Sequence, residues 1–395
     1  MVIGTARRNG GGRRPAAPAV RGAAGAAVGA LLVTGLASPA RAADSPWTRV
    51  SAPDAPASAA LDAISARTGR DVWAAGHQGD TEGTGRGRPL IIHWNGAAWR
   101  RTPVDGASWT GDLTSVAASG PGRAWATGTD ADGGSHLLRW DGTRWARAPI
   151  PGAAAGATAS RVYAGPGGET WLRTGGAPGG ALLRRAGGTW RAVPDPPSGA
   201  SVGGVRVVGR DDVWVIGSVP DGRFSDAYAA HWDGTSWTEL PPYDGGFYAT
   251  FIDVGAVSGD DVWAVGNACG IGTVSPIVPL LAHWDGTSWT ETPLTWIPSS
   301  SGINVGRVTS LATDHRNRPV WIGIGDTYGT PPNAATYARF ADGAWTEVYG
   351  PEDGWASGPR MYVAQYAAGA STYWAAGQNV RESGDGARPR IERTG

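Results

Sequence analysis

Lysine is absent from this chain. All 34 of its basic residues are arginine, and 34 acidic residues bring the formal net charge to zero. That balance gives no support for nucleic-acid binding, which wants a basic surface. Cysteine is reduced to Cys269, so no disulfide framework exists. No Gly-x-Ser-x-Gly, His-Glu-x-x-His, phosphate loop or dinucleotide fingerprint stands in a usable context, and no cofactor is expected. Helical periodicity is nearly missing, which excludes an α-solenoid. The one apolar stretch, Gly22 to Ala37, is too short and Gly-rich for a membrane anchor.

Tryptophan and glycine are abundant instead, with 21 Trp and 63 Gly. The unit Asp261-Val262-Trp263-Ala264-Val265-Gly266, followed by His283-Trp284-Asp285-Gly286-Thr287-Ser288-Trp289-Thr290, recurs along the chain. Its first Trp returns about every 50 residues, at Trp73, Trp125, Trp171, Trp214, Trp263, Trp321 and Trp374. The second half returns as His93-Trp94-Asn95-Gly96, Arg139-Trp140-Asp141-Gly142 and His231-Trp232-Asp233-Gly234. Weaker copies are Arg185-Ala186-Gly187-Gly188 and Phe340-Ala341-Asp342-Gly343. Another Trp follows each, at Trp99, Trp145, Trp190, Trp237, Trp289 and Trp345.

Each unit parses into four strands. Strand a is a short alternating run such as Leu61–Ala66, and strand b is the Asp-Val-Trp-Ala-Val-Gly run, apolar on both faces like a strand between two layers. Strand c runs into His-Trp, and Asp-Gly or Asn-Gly then supplies the positive φ of a hairpin turn. Strand d is Ser-Trp-Thr-x-x-Pro, ended by a residue that cannot donate to a ladder. Such units repeated radially predict an all-β, seven-bladed β-propeller of four-stranded antiparallel blades. The seventh unit stops after Arg388-Pro389-Arg390-Ile391 without a d strand, and a spare one stands at Ser45-Pro46-Trp47-Thr48-Arg49-Val50. The N-terminal strand is therefore expected to complete blade seven and close the ring.

The repeat resembles the secreted tryptophan-rich propeller repeats of high-GC bacteria, and its blade layout is similar to that of kelch repeats. The kelch Gly-Gly pair after strand b is not kept, and the Asp-x-Gly-x-Thr-Trp loop of sialidase-like propellers is only approximated. The resemblance spans about residues 45–395 and implies the fold. It transfers no catalytic residue, and propellers host many unrelated functions.

Residues 1–42 read as an export signal: Arg7, Arg8, Arg13, Arg14 and Arg21, then the apolar stretch, then a small-x-small site at Ala40-Arg41-Ala42. Residues 43–395 are expected to form one propeller, secreted and monomeric, with no membrane span. Cys269 falls after strand b of blade five and is expected to be a small buried residue rather than a reactive thiol.

All Trp occupy recurring blade positions except Trp109, Trp296 and Trp355, which fall in d-to-a connections. Tyr243, Phe247, Tyr248 and Tyr349 lie in the same class of loop, and Phe224, Tyr228 and Tyr328 in b-to-c loops. Both classes emerge on one rim around the central channel. The a-to-b turns opposite have almost no aromatics. Clustered exposed aromatics mark binding surfaces; the competing reading is that they plug the channel mouth. The expected ligand-binding set is Trp109, Tyr243, Phe247, Tyr248, Trp296, Tyr328 and Trp355, facing an extracellular glycan, a cell-envelope polymer or a protein. The alternative is a secreted hydrolase or lyase on a glycan at the same mouth, with His77, Asp226, Asp326 and Tyr328 as catalytic candidates. A third reading is a structural or adhesive surface protein. Asp130 and Asp132 resemble the start of a calcium loop, but the later ligands are missing, so no metal is expected. His93, His231 and His283 share one phase of strand c and are expected to be partly buried and hydrogen-bonded.

Overall fold

The computed structural model describes residues 45–56, 58–80, 87–105, 109–152, 157–175, 180–222, 224–269, 277–292, 294, 306–325, 334–352, 360–364, 372–379 and 386–395, with backbone only at 360 and 362–364. The expected export segment, residues 1–42, lies outside them. The described strands form seven four-stranded sheets, each antiparallel throughout. Six sheets take their strands in chain order. The seventh joins Arg360–Ala364, Trp374–Asn379 and Arg388–Thr394 to the N-terminal strand Trp47–Arg49. Seven blades closed by the N-terminal strand are therefore the fold. Among the described residues no helix is long and apolar enough to cross a membrane.

Closure is a packed joint as well as a strand pairing. Trp47 pairs with Thr394 and Arg49 with Glu392. The Trp47 ring is buried, stacked 4.3 Å from Tyr337 and edge-on to Trp321 at 5.0 Å, both in blade six. Beside it, Tyr337 donates its hydroxyl to Glu392 Oε2 at 2.8 Å, and the fully buried Arg390 donates to Glu392 and to Asn379 Oδ1. A buried ion pair of this kind holds only while every partner is satisfied.

Six blades bury their recurring Trp, and blade five leaves Trp263 half-buried. Trp73 meets Trp140 and Trp145 of the next blade at 5.1 and 5.2 Å, and Trp125 meets Trp190 at 5.4 Å. Strand-d Trp also tie blades together through the indole N–H: Trp237 donates to Pro194 O and Trp289 to Pro241 O, each at 2.7 Å. The histidines are placed as the repeat implies. His93, His231 and His283 lie across from Trp73, Trp214 and Trp263, stack on them at 4.0 to 4.7 Å, and donate Nε2 to Asp71, Asp212 and Asp261 at 2.8 to 2.9 Å. The Asp that opens strand b and the His that closes strand c are thus one pair. In the Asp-Gly turns the Asp side chain caps the loop. Asp233 Oδ1 accepts from the N–H of Thr235 and of Ser236, with Gly234 at φ 98°. The loop holds four residues, longer than the tight two-residue turn that Asp-Gly suggests.

Strand a lines the central channel, a cavity of about 360 Å³. In blades one to six this strand carries a β-bulge, with extra residues Asp62, Thr114, Ser160, Gly203, Ile252 and Thr309. A bulge re-aims a side chain and bends its strand. Polar side chains link neighbouring inner strands: Ser115 Oγ donates to Val162 O at 2.9 Å, and Arg206 of blade four donates to Asp253 of blade five and Leu311 O of blade six.

Candidate functional site

Antiparallel four-stranded blades place all b-to-c and d-to-a connections on one rim. Two groups of candidate side chains occupy it, in different sectors.

The first lies where blades four and five meet. Phe224, in the b-to-c loop of blade four, is edge-on to Phe247 at 4.2 Å and to Tyr248 at 5.4 Å. Phe247 and Tyr248 open the inner strand of blade five, Phe247–Ser258, where the register shifts between Phe247 and Thr250. Tyr248 takes φ 52°, a left-handed conformation that a bulky residue rarely adopts, and 58 % of it is exposed. It is the most exposed large apolar residue described. Strain of this kind persists only where the surroundings impose it.

Carboxylates gather beside these rings. Burial, then the charges of Asp221 and Asp244, push the Asp226 carboxyl above its usual range. Asp221 accepts from the Phe224 N–H at 2.6 Å and Asp244 from the Gly246 N–H at 3.0 Å, so both hold the loops in place. Tyr243 is half-buried; its backbone bridges to Ala227 and its hydroxyl donates to Glu291 Oε2 at 2.8 Å. Cys269 is a free, half-buried residue at the end of strand b, paired with Phe247, rather than in the loop beyond.

The second group spans blades one and two. His77 Nδ1 lies 3.2 Å from Asp112 Oδ1 and 3.5 Å from Asp62 Oδ2. Neither His77 Nδ1 nor Asp112 Oδ1 completes a well-directed hydrogen bond, and both atoms are buried. Contact with Asp62 raises the His77 pKa against the effect of burial, helped by the charges of Asp112 and Asp80. Burial raises the Asp112 pKa, opposed by His77 and reinforced by Asp62 and Asp80. Asp62 is the bulge residue of its strand and also lines the channel. The sequence names His77 as a catalytic candidate, but not Asp62 or Asp80 beside it. The signal for Asp62 was Gly76 across from Leu61, since a glycine there marks the bulge.

The remaining candidates separate. Trp109 is only 8 % exposed, with its ring stacked 4.1 Å from His136, so the structure takes it out of the exposed set. Tyr228 and Tyr349 are also buried. Asp130 is occupied by its own loop. Oδ2 meets His136 Nε2 at 2.9 Å, and Oδ1 accepts from the N–H of Gly134 and Asp132. These contacts, His136 first, hold its carboxyl below the usual range. Among the described residues no group of three or more His, Cys, Asp or Glu is arranged to hold a metal. Trp296, Trp355, Asp326 and Tyr328 lie outside the described residues.

No protein-family model and no curated protein matches the chain. Solved structures do. A structure of YCF48 bound to D1 peptide is 15% identical, covering 88% of this chain and 94% of that one with a TM-score of 0.52. The polysaccharide lyase Uly1 is 12% identical, covering 84% and 89% with a TM-score of 0.54. A fungal alcohol oxidase of the AA5 family in complex with copper is 10% identical, covering 89% and 76% with a TM-score of 0.50. At these identities the likeness establishes the fold alone.

Proposed function

We propose that this propeller is a secreted recognition module that binds an extracellular polysaccharide through the rim at blades four and five. The observation that carries this reading is Tyr248, held outward at a strained φ beside Phe224 and Phe247. A flat exposed ring suits the apolar face of a sugar, and carboxylates such as Asp226 accept from its hydroxyls. The chain resembles tryptophan-rich and kelch-like repeats, and its fold is similar to those of YCF48 bound to D1 peptide and of the polysaccharide lyase Uly1, which supports a polymer as the ligand class. The test is a thermal-shift titration against a panel of neutral and acidic polysaccharides and peptidoglycan fragments, with products followed by mass spectrometry. A saturable rise in melting temperature without product supports recognition. Silence across the panel overturns it.

The second reading, a hydrolase or lyase, rests on His77 between Asp62 and Asp112. A histidine and a carboxyl with raised pKa values, in contact at a channel mouth, are suited to proton transfer. Turnover of a panel member, abolished by His77→Gln and by Asp112→Asn, is the result that favours it.

A further inference from the structure

On the opposite rim, which carries the a-to-b and c-to-d turns, blades two, three, six and seven set an arginine across from the blade Trp, at Arg139, Arg184, Arg339 and Arg393, where the other three blades set a histidine. In blades one, four and five strand b opens with Asp71, Asp212 and Asp261, and each binds the His across from the blade Trp. Blade two puts arginine in both places. Arg123 replaces the Asp, and Arg139 stands across from Trp125. A third arginine joins them from blade three. The Arg185 guanidinium lies 5.2 Å from the centre of the Trp125 ring, and that of Arg139 lies 5.9 Å from it.

These charges are unbalanced. Arg67, Arg144, Arg184, Arg206, Arg318 and Arg390 each have a carboxylate within ion-pair distance. Among the described residues Arg123, Arg139 and Arg185 have none. Arg185 donates one N–H to Gly188 O at 2.9 Å, but its Nε is buried without a partner. Burial, then the charges of Arg139 and Arg123, makes its guanidinium less basic than usual, so both neighbours lie close enough for their charges to reach it. Arg123 also borders a hollow of about 190 Å³ with Ser119 and the Gly165–Gly168 turn. Arg67, on the edge of that hollow, is neutralised by Asp71 at 2.6 Å. Glu169 is the carboxylate beside the Gly165–Gly168 turn, and it pairs with none of the three arginines.

We propose that Arg123, Arg139 and Arg185 form a binding site for a tetrahedral oxyanion, sulfate or phosphate, either free or carried on a polysaccharide. Guanidinium groups present forked, fixed donors that match such oxygens, and the Trp125 face supports them from below. The site lies on the rim opposite Tyr248 and does not depend on the polysaccharide-binding reading.

The repeat supplies a fold-preserving control. The double variant Arg123→Asp/Arg139→His installs the acid–histidine pair that three other blades already use. The experiment is calorimetry and thermal shift at constant ionic strength, with sodium sulfate and sodium phosphate replacing chloride, and with dextran sulfate compared with dextran. Wild-type protein is expected to bind at least one oxyanion probe, and the double variant to bind it about tenfold or more weakly with an unchanged circular dichroism spectrum. If the double variant does not fold, Arg185→Gln decides, and it too should weaken binding. Binding of inorganic sulfate or phosphate identifies a free-anion site. Binding of dextran sulfate alone identifies a polymer-borne group. Equal binding by wild type and variants, or no binding of any oxyanion probe, overturns the assignment.

Discussion

The carbonyl oxygen of Thr250 stands where Gly266 would carry a side chain. A Cβ on Gly266 would lie 1.9 Å from it. The bulge in the inner strand turns this carbonyl into the adjacent strand, and the relationship repeats. The same construction gives 2.1 Å for Gly76 against Ala60 O, 2.3 Å for Gly128 against Asp112 O and 1.9 Å for Gly217 against Ser201 O. In blades one, two, four and five the glycine three residues after the blade Trp is the steric counterpart of the bulge that shapes the channel wall.

Gly266→Ala is therefore expected to destabilise the ring, by about 1–3 kcal/mol as for other overpacked interiors. Gly259→Ala is the control. Its Cβ meets nothing within 4 Å, and the melting temperature should stay where it is. Thermal unfolding of the two variants checks this, and equal melting temperatures would refute the steric account.

The N-terminal strand closes the ring, so Trp47→Ala should cost about 3–5 kcal/mol, as for other buried Trp. Deleting residues 45–52 should lower the melting temperature further and expose the blade-seven edge to association. Light scattering and calorimetry of the truncated chain measure both effects.

Asp71 collects the N–H of Trp73, His93 and Arg67. Burial works against its charge, but His93 and then Arg67 hold its pKa below 3.8. A depressed carboxylate stabilises the fold above its unfolded pKa of 3.8, and that stability is lost as the pH falls through the lower folded value. Asp71→Asn should cost about 1–3 kcal/mol at neutral pH. The difference from wild type should shrink in acid, which denaturant titrations at several pH values will show.

His77 works in the opposite direction. Its raised pKa means that the folded chain holds the proton more tightly than the unfolded chain does at 6.5. Its contribution is complete below pH 6.5 and drains away as the pH rises through the folded value. Asp112, raised above 3.8, loses stability with rising pH in the same sense, over a window that opens lower. The melting temperature should fall on the alkaline side, and His77→Gln should flatten that slope. The groups facing His77 are Asp62, Asp80 and Asp112. An unchanged slope in the variant removes His77 as its source.

Particular residues show what the sequence could reveal. The blades were legible because Trp73 and its equivalents return with a glycine and an Asp-Gly turn at fixed offsets. Closure was legible because Ser45-Pro46-Trp47-Thr48 is a strand d with no blade of its own. The His93–Asp71 pair was half legible: the histidine phase stood out, while the partner needed the cross-strand register. Trp109 looked like a surface aromatic because the ring that covers it, His136, sits in another strand. His77 could not be matched with Asp62, because the bulge changes which way that aspartate faces. The arginine trio was visible as two departures from the repeat, but Arg185 joins it only through the packing of blade three on blade two.

The recognition reading turns on Tyr248. The most direct measurement is the affinity of Tyr248→Gly for the polysaccharide that binds wild-type protein, with the melting temperature of both recorded alongside. Glycine adopts φ 52° without strain, so the variant should melt no lower than wild type. Binding weakened by about tenfold or more, from loss of one stacking ring at an otherwise intact rim, is the predicted result. Unchanged affinity in a stable variant would contradict the account and move the ligand away from blades four and five.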